Sequence, residues 1–314
     1  MGKRLSPTKE DGNEVKALRK KNAELQKIIE RMTQEHEDQR KAKFTIPKGR
    51  MTSPRGSFIR LVIPDTHGCF IEKAAARAML KDASNFDVKE VVFLGDHVDC
   101  GGFLSAHSLA YVAEADYTYQ DDINSANVFL DEVTKACPGA KNYFICGNHE
   151  RRVERWCLTQ AVKNAVDAQM LLKALDPVYL LHLKERGIEY IHTLDNTHSK
   201  GNTRNTLELG KCLFLHGYSH AQHATQTTLN DLAKNAVVGH IHRRQSFART
   251  THASDIEAWC PGCLTERRKF YCHGRPTHHS HGYGLQIVKK DGAFLHINVP
   301  IINGKSYLSA LKSV

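Results

Sequence analysis

The feature that most constrains this chain is a series of short apolar runs, each ending at a residue able to bind a metal. FIRLVIP runs into Asp65, EVVFL into Gly95 and Asp96, KNYFIC into Gly147 and Asn148, CLFL into His216, and AVV into Gly239 and His240. Runs of this length, rich in Val, Ile and Phe, are strand signals, and the helix-like stretches between them mark an α/β domain. In open α/β sheets the carboxyl ends of the strands converge on the ligand site, so residues far apart in sequence are expected to meet there. Beyond His242, QSFARTT, YGLQIVK and AFLHINV read as further strands, expected to close a second sheet.

With 314 residues, 41% of them hydrophobic, the chain can bury one substantial core and carry an appendage. No apolar run is long enough to span a bilayer, and MGKRLSPTKEDGNEVK lacks the apolar stretch of a secretory signal, so a cytoplasmic protein with no membrane partner is expected. The nine cysteines, an odd number, are then expected to be reduced thiols or metal ligands. The net charge of +10 is uneven: residues 1–50 carry 14 Lys and Arg against 8 Asp and Glu, or +6 of it. Such an arm suits an anionic partner, with nucleic acid or a nucleotide as a plausible substrate.

The expected organisation is a basic coiled-coil arm over residues 1–40, a linker over 41–57 rich in Lys, Pro, Gly, Thr and Ser, and a catalytic domain over 58–314. Val15, Leu18, Leu25, Ile29 and Met32 fall on a heptad pattern, and Asn22 at an a position favours a two-stranded parallel pairing. A homodimer or higher oligomer through this arm is one reading. A solvated single helix is the other, because little more than three heptads is marginal in water.

Five blocks follow one another at the strand ends: Asp65-Thr-His67-Gly68, Gly95-Asp96-His-Val-Asp99, Gly147-Asn148-His149-Glu150, His216-Gly217 and Gly239-His240-Ile-His242. Singly, each has a bland alternative as a hydrogen-bonded core residue. In this order, each after a predicted strand, they form a set of carboxylate, amide and imidazole donors. Mixed donors of this kind suit Mn²⁺, Fe²⁺, Zn²⁺ or Ni²⁺, whereas Ca²⁺ and Mg²⁺ favour oxygen alone.

From Asp65 to His242 the blocks resemble the calcineurin-like metallophosphoesterase superfamily, which implies a four-layer α/β/β/α sandwich and a dinuclear metal-dependent phosphoesterase. The resemblance implies one divalent ion held by Asp65, His67, Asp96 and His242, and a second held by Asp96, Asn148, His216 and His240, with Mn²⁺ the expected metal. A metal-bound hydroxide is expected to attack phosphorus. His149 resembles the family's histidine that stabilises the transition state or protonates the leaving oxygen, and Asp99 is expected to accept from that imidazole.

Two branches of the superfamily are partly matched. DTHG, GDHVD and GNHE are similar to the Ser/Thr phosphoprotein phosphatases, but Cys100 and Cys146 stand where that branch has its two phosphate-gripping arginines. Arg151 or Arg152, just after GNHE, is a candidate replacement. The GHIH ending resembles the phosphodiesterase and nuclease branch, and the whole pattern is similar to phage-encoded phosphoesterases. A phosphodiesterase on nucleic acid or nucleotides is therefore expected. A phosphomonoesterase and a non-catalytic nucleic-acid-binding scaffold are the alternatives. In the tail, Cys260, Cys263, Cys272 and His273 either form a small zinc site, at a spacing that fits no standard finger, or are buried thiols and solvated imidazoles. The neighbouring His278, His279 and His281 are candidates to reach the rim of the active site.

Overall fold

The computed structural model describes residues 16, 20–28, 30–31, 56–100, 103, 118–161, 164–192, 206–252, 254–267 and 277–308. The chain divides into two units, residues 1–52 and 53–314. In the first, residues 20–28 are helical and exposed. The other positions of the heptad, including Val15, Leu18, Ile29 and Met32, lie outside the described residues, as does most of the expected linker.

In the second unit, β1 (Phe58–Ile63), β2 (Val88–Phe93), β3 (Lys141–Ile145) and β4 (Glu189–Ile191) run parallel in that order. Helix α1 (Lys73–Ala83) joins β1 to β2. Helix α2 (Tyr119–Ala136) joins β2 to β3. Helices α3 (Asn148–Gln160), α4 (Ala165–Leu175) and α5 (Pro177–Leu180) precede β4. The second sheet has the order β5 (Leu207–Leu209), β6 (Cys212–Leu215), β7 (Ala236–Val238), β9 (Asp255–Pro261) and β8 (Arg244–Thr250), with α6 (Ala224–Leu232) between β6 and β7.

Alternate residues of each strand face opposite sides, and that alternation builds four layers. Leu61, Ile63, Val91, Phe93 and Phe144 of the first sheet join Met79 of α1 and Phe129 and Leu130 of α2 in one core. Their neighbours Val62, Val92, Tyr143 and Ile145 face the other way and meet Cys212, Phe214 and Val237 of the second sheet. The opposite face of that sheet, with Leu213, Leu215, Ala236 and Val238, packs on Leu229 of α6. The order is helix, sheet, sheet, helix. Each fully buried Leu, Ile, Val or Phe contributes roughly 1.5–3 kcal/mol.

The expectation for the tail is corrected in part. The strand over QSFARTT lies in the second sheet as β8, but β10 (Gly282–Val288) and β11 (Phe294–Ile302) join the first sheet, with β10 antiparallel to β1 and β12 (Lys305–Ser306) at the edge. The reason is a continuous register from Phe58 opposite Val288 to Val62 opposite Gly284, which covers the free edge of β1. Strand β9 also takes in Cys260, so half of the CxxC pair is a core strand position.

Candidate metal centre

The site forms where the strands of both sheets end. After β1, residues 66–68 dock on the turn after β2: the amides of Thr66 and His67 donate to the Asp96 carbonyl at 3.1 and 3.0 Å, and the Gly68 amide donates to the His97 carbonyl at 2.9 Å. The turns are tight enough to force His67, Asp96, His240 and His242 into left-handed conformations, with φ of 55, 53, 71 and 55°. Such geometry costs a non-glycine residue about 1–3 kcal/mol and persists only where its surroundings impose it. Gly95, at φ 94°, is required for a further reason, since a Cβ there would come within 2.6 Å of the Gly147 nitrogen.

Among the described residues three donor groups result, the ligand atoms of each lying within 4.8 Å of one another: Asp65, His67 and His242; Asp96, His216 and His240; and His67, Asp99 and His149, which shares His67 with the first. His67 Nε2 is 3.1 Å from His242 Nε2, which is 3.1 Å from Asp65 Oδ2. His216 Nε2 is 3.2 Å from Asp96 Oδ2, 3.0 Å from Asn148 Oδ1 and 3.2 Å from His240 Nδ1. The His240 amide donates to both oxygens of Asp65 at 3.1 Å, tying the second group to the first.

Their tautomers are set from behind. His216 Nδ1 donates to the Leu94 carbonyl at 2.8 Å, so its Nε2 lone pair faces inward among oxygen and nitrogen acceptors. His67 Nδ1 is 2.8 Å from Asp99 Oδ1, which turns the His67 Nε2 lone pair toward His242. Lone pairs at these separations repel unless a proton or a metal cation stands between them, so the donors fit a divalent metal. The electrostatics agree. Burial opposes the ionisation of Asp96, yet His216, His149 and His67 hold it well below the usual carboxylate range, and His242 does the same for Asp65. Burial likewise opposes a charge on His216, but Asp96, Asp65 and Glu150 push it up to about 10. Burial and the neighbouring His216 bring His240 down to about 4.

The candidate acid, His149, is the second residue of α3. Its amide donates to Asp96 Oδ1 at 2.8 Å, placing the positive end of the helix on that carboxylate. Its Nδ1 donates to the Asp99 carbonyl at 2.8 Å, so Nε2 is free of that bond and lies 3.8 Å from Asp96 Oδ2. Asp99 reaches both histidines: its carboxylate lies 2.8 Å from His67 Nδ1 and 3.8 Å from His149 Nδ1, and its backbone carbonyl also accepts from His149 Nδ1. Arg152 NH1 lies 3.0 Å from His149 Nε2. Among the described residues Arg151, half-buried one position earlier, makes no side-chain hydrogen bond or ion pair with the cluster.

Two carboxylates that sequence reasoning gave no role hold the turns in place. Glu150 accepts from the amides of Asp96, His97, Val98 and Gly147 at 3.0, 2.7, 3.3 and 2.9 Å; burial and the Asp96 charge push it up to about 7. Its sequence signal is the acidic third residue of a helix. Asp122 of α2 accepts from Asp99, Cys100 and Cys69 at 2.7, 2.8 and 3.0 Å, and burial raises it to about 6. At the rim, His220 lies 3.1 Å from His240 Nε2, and the ring of His279 sits 4.5 Å from that of His242. Cys260 and Cys263 are buried, and among the described residues neither belongs to a metal-ligand cluster; Cys272 and His273 lie outside those residues. Among the described residues no helix is long and apolar enough to cross a membrane.

No curated protein matches this sequence. Among solved structures, it is similar to Vacuolar Protein Sorting 29 from Cryptosporidium parvum, with 11% identity and a TM-score of 0.38 over 80% of this chain and 95% of that one. It is also similar to the phosphoesterase Yfce from E. coli, with 16% identity and a TM-score of 0.31 over 77% and 99% of the two chains. The hypothetical protein PH1004 from Pyrococcus horikoshii OT3 has 10% identity and a TM-score of 0.40 over 78% and 89%. Residues 60–244, a span containing every candidate ligand, match the profile described as calcineurin-like phosphoesterase, and the chain belongs to that family.

Proposed function

We propose that this chain is a dinuclear metal-dependent phosphodiesterase acting on nucleic acid or nucleotides. The observation that carries this reading is the pair of donor groups around Asp65 and Asp96, whose inward lone pairs require positive charge. Asp65, His67, Asp96 and His242 would hold one ion, and Asp96, Asn148, His216 and His240 the other, with Mn²⁺ the expected metal on the carboxylate and amide oxygens and Fe, Zn or Ni also suited to the imidazoles. Two such ions supply Lewis acidity toward the phosphoryl oxygens and lower the pKa of water. His149, anchored through Nδ1, would deliver a proton from Nε2 to the leaving oxygen in its doubly protonated form, with the Arg152 guanidinium that lies 3.0 Å from Nε2 displaced.

Preference for a diester rests on charge. Cys100 and Cys146, at the positions of the phosphatase arginines, donate to the carbonyls of His149 and Gly147, and burial pushes the Cys100 thiol upward, so it stays neutral. A monoester dianion needs more positive charge than a diester does. One observation favours the phosphomonoesterase reading: Arg152 brings a guanidinium beside His149. Metal-stripped protein should be inactive, recover best with Mn²⁺, and hydrolyse bis-nitrophenyl phosphate faster than nitrophenyl phosphate. Preference for the monoester would promote the phosphatase, and a loaded protein inactive on every ester would promote the scaffold.

A further inference from the structure

Away from the metal centre, a groove of about 840 Å³ runs between α1 and the β11–β12 hairpin, with Ala74, Arg77 and Lys81 on one wall and Ile302, Lys305 and Tyr307 on the other. Its walls are fixed elements, since the turn between the two strands packs on the helix: Gly304, at φ 70°, leaves no room for a Cβ, which would approach Ala74 Cβ to 2.8 Å.

The charge on these walls is arranged. Lys73, Arg77 and Lys81 are all exposed and recur every four residues, a single row along α1 with steps of roughly 6 Å. Like charges at this spacing destabilise a helix, and a lysine at its first position opposes the helix dipole. Among the described residues none of the three, nor Lys305, forms an ion pair that would offset this cost. Tyr307, 56% exposed, stands beside Lys305. A track of unpaired cations with an exposed aromatic ring is the combination that binds single-stranded nucleic acid, through phosphates on the cations and a base on the ring.

The groove is also coupled to the metal centre. The amide of Glu72, which caps α1, donates to the Leu264 carbonyl at 2.8 Å, and the Leu264 amide donates to the Asp65 carbonyl at 2.8 Å. The row of cations therefore begins two backbone hydrogen bonds from a candidate ligand. We infer that the α1–β12 groove is an exosite that holds a single-stranded stretch of the substrate polyanion outside the catalytic centre. This rests on the nucleic-acid reading of the site and adds where the strand is gripped.

Binding of a fluorescein-labelled single-stranded 12-mer to the full chain, followed by anisotropy across a salt series, tests it without requiring turnover. Arg77→Gln combined with Lys81→Gln should weaken binding about tenfold and reduce the slope of log K against log salt by about 1.4, two single-strand phosphate contacts. Lys305→Gln, on the opposite wall, should reduce the slope by about 0.7 without touching the helix, and Tyr307→Ala should weaken binding about tenfold at unchanged slope. Thermal melting of each variant checks the fold. Unchanged affinity and slope in the double and Lys305 variants would overturn the exosite. Tighter binding of a duplex, with Tyr307→Ala silent, would overturn the single-strand assignment. Hydrolysis of the same 12-mer by metal-loaded wild-type protein is scored separately: groove-dependent binding without cleavage would sink the diesterase reading and leave the groove standing.

Discussion

Replacing Asp99 by Asn separates two roles for a residue that touches two histidines. The carboxylate binds His67 Nδ1 at 2.8 Å in a fully buried setting, and the backbone carbonyl binds His149 Nδ1 at 2.8 Å. The substitution weakens the first hydrogen bond and removes the charge 3.8 Å from His149 Nδ1, but leaves the main-chain anchor of His149 in place. A hydrogen bond to a buried charged group is worth about 1.5–3 kcal/mol net and one between neutral groups about 1 kcal/mol, so Asp99→Asn should lose about 1–2 kcal/mol of support for the His67 ligand geometry. That is roughly a 5- to 30-fold loss of metal affinity, overlapping the 10- to 100-fold usual for a lost partner behind a metal-binding histidine. Calorimetric Mn²⁺ titration of stripped protein reads it directly. Turnover at saturating metal should fall far less than in His149→Ala, because the His149 anchor is main chain. Unchanged metal affinity together with a large loss of turnover would refute the reasoning and return the Asp99 carboxylate to His149.

His149→Ala should retain metal content while turnover falls about 10²- to 10⁴-fold, the loss shrinking for nitrophenyl leaving groups; equal losses for alkyl and nitrophenyl esters would rule out an acid role. Glu150→Gln should cost about 3 kcal/mol in denaturant unfolding, because its amide NH₂ must face a backbone N–H that the carboxylate accepted. A loss under about 0.5 kcal/mol would show that the turns hold without it. Asp122 is raised from 3.8 to about 6, so its contribution is complete below pH 4 and is lost as pH climbs to about 6. At about 1.4 kcal/mol per pH unit, the stability gap between wild type and Asp122→Asn should move by about 3 kcal/mol in the variant's favour over that interval; a constant gap would contradict the raised value.

The strand ends were legible because burial and chemistry coincide in short stretches: FIRLVIP before Asp65 and CLFL before His216 are β1 and β6 almost residue for residue. Strand β9 was missed because DIEAWC carries a charged residue within its apolar pattern and was overshadowed by the cysteine pair that follows. The pairing of β10 with β1 depends on which sheet has a free edge, a property of the assembled layers rather than of YGLQIVK. The roles of Glu150, Asp122 and the Asp99 carboxylate were out of reach for a similar reason. Glu150 and Asp122 depend on where backbone amides point after a left-handed turn, and the Asp99 carboxylate on where the His67 ring lies, 22 to 54 positions away, and no local pattern encodes that.

The division of the candidate ligands between the two sheets bears on how the chain folds. Asp65, His67, Asp96 and Asn148 follow strands of the first sheet, whereas His216, His240 and His242 follow strands of the second, and His67 meets His242 across 175 positions of chain. Contacts of such separation form late, after loop closure has been overcome, so the donor cluster should be among the last parts of the molecule to assemble. Metal would then bind the native state and have little affinity for earlier species, raising the melting temperature with its concentration without accelerating the formation of either sheet. A fragment ending before β6 would hold only four of the seven candidate donors, so the centre could close only after most of the chain had been synthesised.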